Sequence, residues 1–100
     1  MKIVFKPEAE RDLIEAADWY EQKRTGLGTD FVHEIGSTID RIADMPEAYR
    51  KVRGELRRAL MRRFPDAIYV LVSAGFLTVY GIIHQRRAPH VWQSRMDDTN

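Results

Sequence analysis

The residues best suited to chemistry lie between Arg57 and Arg95. His84 closes an apolar run and is followed by Gln85, Arg86 and Arg87. A histidine changes charge near neutral pH and can act as a general acid or base. Seven arginines, at 57, 58, 62, 63, 86, 87 and 95, flank the same stretch, together with His90 and Trp92. The guanidinium group is a planar, permanently charged fork that matches phosphate or carboxylate. A small domain that gathers such cations presents a surface for an anionic partner. The plainer reading makes His84 a strand-end hydrogen-bonding residue and the arginines solvated surface. It gains weight because no acid or hydroxyl stands near His84 in the sequence to orient it. His33 falls opposite the apolar stripe of its segment and reads as solvated. The histidine spacings, 51 and 6 residues, match no familiar metal signature. No metal and no cofactor are expected.

These residues need a scaffold, and the pattern around them supplies one. Residues 2–6 read as a short strand. Pro7 suits the first turn of a helix, where its missing N–H costs nothing. Glu8, Glu10 and Asp12 favour the same end through the helix dipole. Leu13, Ala16, Ala17 and Tyr20 share one face, and Lys23 and Arg24 close the helix. Gly26-Leu27-Gly28 reads as a turn, with Thr29 or Asp30 as cap of a second helix. Phe31, Ile35, Ile39 and Ile42 form its apolar stripe, which Met45-Pro46 ends. The connection is short enough to force an antiparallel helical hairpin. Tyr49 to Val52 is a short strand or irregular. Leu56 to Arg63 reads as a strand, which puts Arg62 and Arg63 on opposite faces. Phe64-Pro65-Asp66 reads as a turn or bulge. Residues 67–73 and 76–84, joined at Ala74-Gly75, read as a β-hairpin. The fold class is α+β: an N-terminal strand, then a helical hairpin packed on a small antiparallel sheet, in the order βααβββ(β).

Length and composition agree. A chain of 100 residues is one domain, expected over 1–96 with 97–100 as a frayed tail. It has no cysteine, hence no disulfide framework. Neither a signal sequence nor a membrane span is evident, and a cytoplasmic location is expected. The net charge of +1 conceals a polarity. Residues 1–48 hold 6 basic and 11 acidic side chains; residues 49–100 hold 10 and 4. The basic half can face an acidic partner. Two tryptophans offer anchors. Trp92 either pins the tail to the sheet or contacts a partner. Trp19 lies off the buried stripe beside Tyr20, where an exposed ring is a docking point.

The order Arg62-Arg63-Phe64-Pro65-x-Ala67-Ile68-Tyr69, then Val79-Tyr80-x-Ile82-Ile83-His84-x-x-Arg87-x-Pro89-x-x-Trp92-x-x-Arg95, resembles the ParE/RelE superfamily of bacterial toxins, closest to its ParE branch. Phe5-Lys6-Pro7-Glu8-Ala9-Glu10-Arg11-Asp12-Leu13 and Gly26-Leu27-Gly28-x-x-Phe31 agree with it. The resemblance implies the toxin of a type II toxin–antitoxin pair, with DNA gyrase as target. It further implies a ParD-like antitoxin that wraps the toxin and makes most of the pair's DNA contacts. Target contact is expected from Arg62, Arg63, His84, Arg86, Arg87, Trp92 and Arg95. Antitoxin contact is expected from Trp19, Arg57 and Arg58. The RelE branch implies the alternative, a ribosome-dependent mRNA endonuclease, for which Arg63, His84 and Arg86 are the candidate catalytic residues. Such nucleases commonly carry a tyrosine near the C-terminus and lysines in the preceding strands. Here Trp92 stands in that region, no tyrosine follows Tyr80, and Lys51 is the one lysine of the basic half. That departure favours a toxin that binds over one that cuts.

Overall fold

The period-2 and period-3.6 segments of the chain become one five-stranded sheet and a pair of helices. The computed structural model describes residues 1–86, 91 and 93–95. Strand β1 spans Lys2–Phe5, helix α1 Pro7–Lys23 and helix α2 Leu27–Asp44. A single 3₁₀ turn at Pro46–Ala48 leads to strands β2 (Arg50–Arg53), β3 (Leu56–Leu60), β4 (Asp66–Ser73) and β5 (Phe76–His84). The sheet order is β1-β5-β4-β3-β2. The last four strands form an antiparallel meander. β1 joins it in parallel, with Lys2 opposite Phe76 and Phe5 opposite Val79. A parallel neighbour requires a long crossover, which the helical hairpin and β2–β4 provide.

The apolar stripes predicted for the helices are the ones buried. Phe31, Ile35, Ile39 and Ile42 pack with Ala59, Ile68, Val70, Leu77, Val79 and Ile82 on one face of the sheet. Tyr20, Phe31 and Phe64 meet pairwise at 4.8–5.1 Å between ring centres, within the range of favourable aromatic contacts. On the other face a smaller cluster of Leu56, Ala67, Tyr69 and Ile83 packs with Val52, Tyr80 and Val91. A bulge doubles Tyr80 and Gly81 against the single step from Tyr69 to Val70.

Two local expectations are corrected. Thr29 and Asp30 do not cap α2, because the helix already begins at Leu27. The cap comes from α1: the Glu21 carboxylate accepts the N–H groups of Gly26 (2.8 Å) and Gly28 (3.0 Å), satisfying first-turn donors that would otherwise be orphaned. Arg62 and Arg63 are not strand residues, since β3 stops at Leu60. Glu34 on α2 accepts the main-chain N–H of Arg62 at 2.6 Å and of Arg63 at 3.2 Å. That pull bends the chain before Pro65, and the Met61 N–H to Asp66 carbonyl bond closes the connection.

Candidate binding groove

α1 crosses the sheet beside the far half of β5, and a groove of about 980 Å³ opens between them. β1 pairs with β5 only as far as Val79, so the β5 edge beyond it needs other partners. Asp12 supplies one by accepting the Ile82 N–H at 3.0 Å. Arg95 supplies another by donating from Nη1 to the Tyr80 carbonyl at 3.2 Å. The two side chains also clasp each other, Nη1 to Oδ2 at 2.6 Å and Nη2 to Oδ1 at 2.9 Å. Their side chains are 22% and 15% exposed, so this pair is largely shielded from water. Hydrogen bonding to Asp12 raises the Arg95 pKa further, helped by the charges of Asp12, Glu8 and Glu15 and opposed by burial. Gly81 makes the clasp possible, because a Cβ there would stand 2.7 Å from Arg95 Nη1.

The floor holds a second polar pair. The Tyr20 hydroxyl donates to Asp66 Oδ1, and both residues are buried. Burial first, then the hydrogen bond to and charge of Asp66, pushes the Tyr20 pKa well above the ordinary tyrosine value. Tyr20 therefore stays protonated and is a donor here, not a base. His84 sits half-buried at the groove's end, and its Nδ1 accepts the Arg86 N–H at 3.1 Å. In the neutral ring that acceptor role leaves the proton on Nε2. Trp19 forms the exposed wall, 55% accessible. Its ring meets Tyr20 edge-on at 5.1 Å and carries the Lys23 ammonium 4.6 Å from its centre.

The structure thus gathers Trp19, His84, Arg86 and Arg95 around one groove. It does not make that groove a cluster of free cations. Glu8, Asp12, Glu15 and Asp66 line it as well, and Arg95 is engaged by Asp12. Arg62 and Arg63 lie elsewhere, at the bend held by Glu34; Arg63 also approaches Asp30 at 3.4 Å and the Phe64 ring at 5.7 Å. Both ends of that ion pair are well exposed, so it adds little. Arg57 and Arg58 sit on β3, separated from β5 by β4. Arg57 Nη1 donates to the Tyr49 carbonyl at 2.8 Å. Arg58 neighbours Tyr69, whose hydroxyl burial pushes up in pKa and the guanidinium draws partly back. Arg87, His90, Trp92 and the tail 97–100 lie outside the described residues. Among the described residues no three His, Asp or Glu side chains converge to hold a metal ion, and no helix is long and apolar enough to cross a membrane. Sequence reasoning missed Tyr20–Asp66 and Asp12–Arg95. Asp66 read as part of a turn and Asp12 as a helix-dipole acid, and neither carries a local sign of its distant partner.

This fold has a counterpart among solved structures. A chain from the chromosomal ParDE TA system of P. aeruginosa superimposes with a TM-score of 0.72 at 15% identity, covering 84% of this chain and 95% of that one. The profile of the family described as "ParE toxin of type II toxin-antitoxin system, parDE" matches residues 3–89. The chain belongs to the ParE toxin family of type II toxin–antitoxin systems. No curated protein matches it in sequence.

Proposed function

We propose that this toxin acts in the cytoplasm by binding DNA gyrase, and that a ParD-like antitoxin silences it by occupying the groove between α1 and β5. One observation carries the preference for binding over cutting. Arg63, the first of the three residues that a nuclease reading would use, lies outside the groove that holds His84 and Arg86. Phosphodiester cleavage needs charge stabilisation and proton transfer at one point. The other proton carrier on the groove floor, Tyr20, is held in its protonated form by burial and Asp66. A binding role fits the same groove well: the apolar side chains of Ala16, Ile82 and Ile83, an exposed tryptophan wall and charges of both signs suit an amphipathic helix laid into it. Arg62, Arg63 and Arg86 remain exposed for a target.

Induction of the toxin without its antitoxin tests this directly. The proposal expects DNA-damage signalling while cellular mRNA stays intact. Rapid mRNA cleavage at ribosomes, with no DNA damage, would replace it with the nuclease reading and make His84 the first catalytic candidate.

A further inference from the structure

The helical hairpin carries a second trough, on the flank of α1 away from β5. Ala17 and Asp18 of α1 and Gly28, Thr29 and Val32 of α2 line about 430 Å³ there. None of its lining residues belongs to the α1–β5 groove. Helical spacing extends it. Ile14 stands one turn before Ala17 and Asp18, and Gly36 one turn after Val32. The helices run antiparallel, so both extensions lie at the same end. Ile14 is 68% exposed, more than any other large apolar side chain among the described residues, and Val32 is 42% exposed. From Gly28 to Gly36 the trough runs about 12 Å, the length of about two helical turns.

Gly36 makes a separate case for a partner. It sits inside α2, where glycine weakens a helix relative to alanine. At Gly28 the close Ala17 carbonyl requires the missing side chain. At Gly36 the chain itself requires nothing of the kind. A Cβ there would meet no atom within 4 Å, and φ is not positive. A glycine so placed lets another backbone come close.

Charge selects the partner. Glu10 and Asp18 stand one turn to either side of Ile14, and Asp40 one turn beyond Gly36; all three are exposed. Among the described residues no cation pairs with any of them. Asp18 accepts a neutral amide, Gln22 Nε2, at 2.9 Å. Glu21 is engaged in the α2 cap, and Arg11 lines the other groove. Such a rim repels nucleic acid. A second copy laid face to face would set these acids against their own kind, a mismatch that works against association.

We propose that this face of the hairpin docks a basic amphipathic helix of a partner protein. Its apolar side would cover Ile14, Ala17 and Val32, and its backbone would approach at Gly36. Its lysines or arginines would reach Glu10, Asp18 and Asp40, laying their apolar stems along the trough. The α1–β5 groove stays open meanwhile, so this surface stands or falls independently of the function proposed above.

The test titrates the full chain, followed by amide NMR, with a synthetic amphipathic peptide. The peptide carries leucine and alanine on one helical face and lysine on the other. Saturable shifts should centre on Ile14, Ala17, Val32 and Gly36, and affinity should fall as salt rises. The same peptide with glutamate for lysine should not bind. Gly36→Gln should leave the denaturation midpoint unchanged or raised, because the space is open, yet weaken binding at least about tenfold. Ile14→Gln, at an exposed side chain, should weaken it comparably, and Asp18→Asn and Asp40→Asn should each do so in part. No saturable binding, shifts confined to the α1–β5 groove, or full affinity in Gly36→Gln would overturn the proposal. So would equal binding of the glutamate peptide, or concentration-dependent dimerisation through these same amides, which would make the occupant a second copy.

Discussion

Asp12 lies near the start of α1, where an acid is expected for the helix dipole alone, yet its two oxygens serve three donors: the Ile82 N–H and both terminal nitrogens of Arg95. Loss of that carboxylate charge leaves Arg95 shielded and poorly paired. Asp12→Asn should therefore lower stability by about 1–3 kcal/mol in urea unfolding, and an unchanged midpoint would remove the clasp from the account. Tyr20 makes a pH prediction. Its proton is held more tightly folded than unfolded, so the unfolded chain ionises first, near pH 10.0. The stabilisation is fully present below that pH and is lost as pH rises above it. Tyr69 shifts in the same direction. The alkaline fall in stability should be smaller in Tyr20→Phe, as read by denaturant midpoints on either side of pH 10.0. His84 separates the two mechanisms. His84→Asn preserves a hydrogen-bonding ring-edge substitute and removes the titrating group. A catalytic His84 would cost about 100-fold or more in toxicity, whereas a groove-lining His84 should cost only a few-fold.

At the scale of elements, the helical hairpin depends on one close approach. A Cβ on Gly28 would lie 2.4 Å from the Ala17 carbonyl oxygen, a main-chain atom that cannot swing aside. Gly28→Ala should push α1 and α2 apart and cost about 1–3 kcal/mol, measurable as a lowered denaturation midpoint. The β4–β5 turn offers the opposite change. Ala74 holds φ 51°, and Gly75 follows at 82°, the left-handed pair that a tight hairpin demands. A side chain with a β-carbon is disfavoured there, and asparagine tolerates the conformation better than alanine. Ala74→Asn should raise stability by roughly 0.5–1 kcal/mol. The elements were largely legible, because apolar periodicity and turn residues are local signals. Phe31, Ile35, Ile39 and Ile42 announced the buried face of α2, and Ala74-Gly75 announced the hairpin. The fate of Arg62 and Arg63 was not legible, because a carboxylate 28 residues upstream decides it. The start of α2 was misplaced for the same reason, its cap belonging to α1.

At the scale of the whole molecule, the polarity of charge along the chain does not become one cationic patch. The arginines separate into a β2–β3 edge, a bend beside α2 and a groove shared with acids from α1. Composition counts charges, but the topology decides which of them meet, and the packing of acidic α1 beside β5, where Arg86 and Arg95 follow the strand, neutralises part of the site. That leaves the family's fold with a groove suited to a helix and with exposed arginines suited to a larger target. The measurement that tests this most directly is a supercoiling and DNA-cleavage assay with purified gyrase and this protein free of antitoxin. The account predicts loss of supercoiling together with accumulation of cleaved DNA, reversed by added antitoxin and reduced by Arg86→Glu. Undisturbed supercoiling by a preparation that still arrests growth when induced would contradict it.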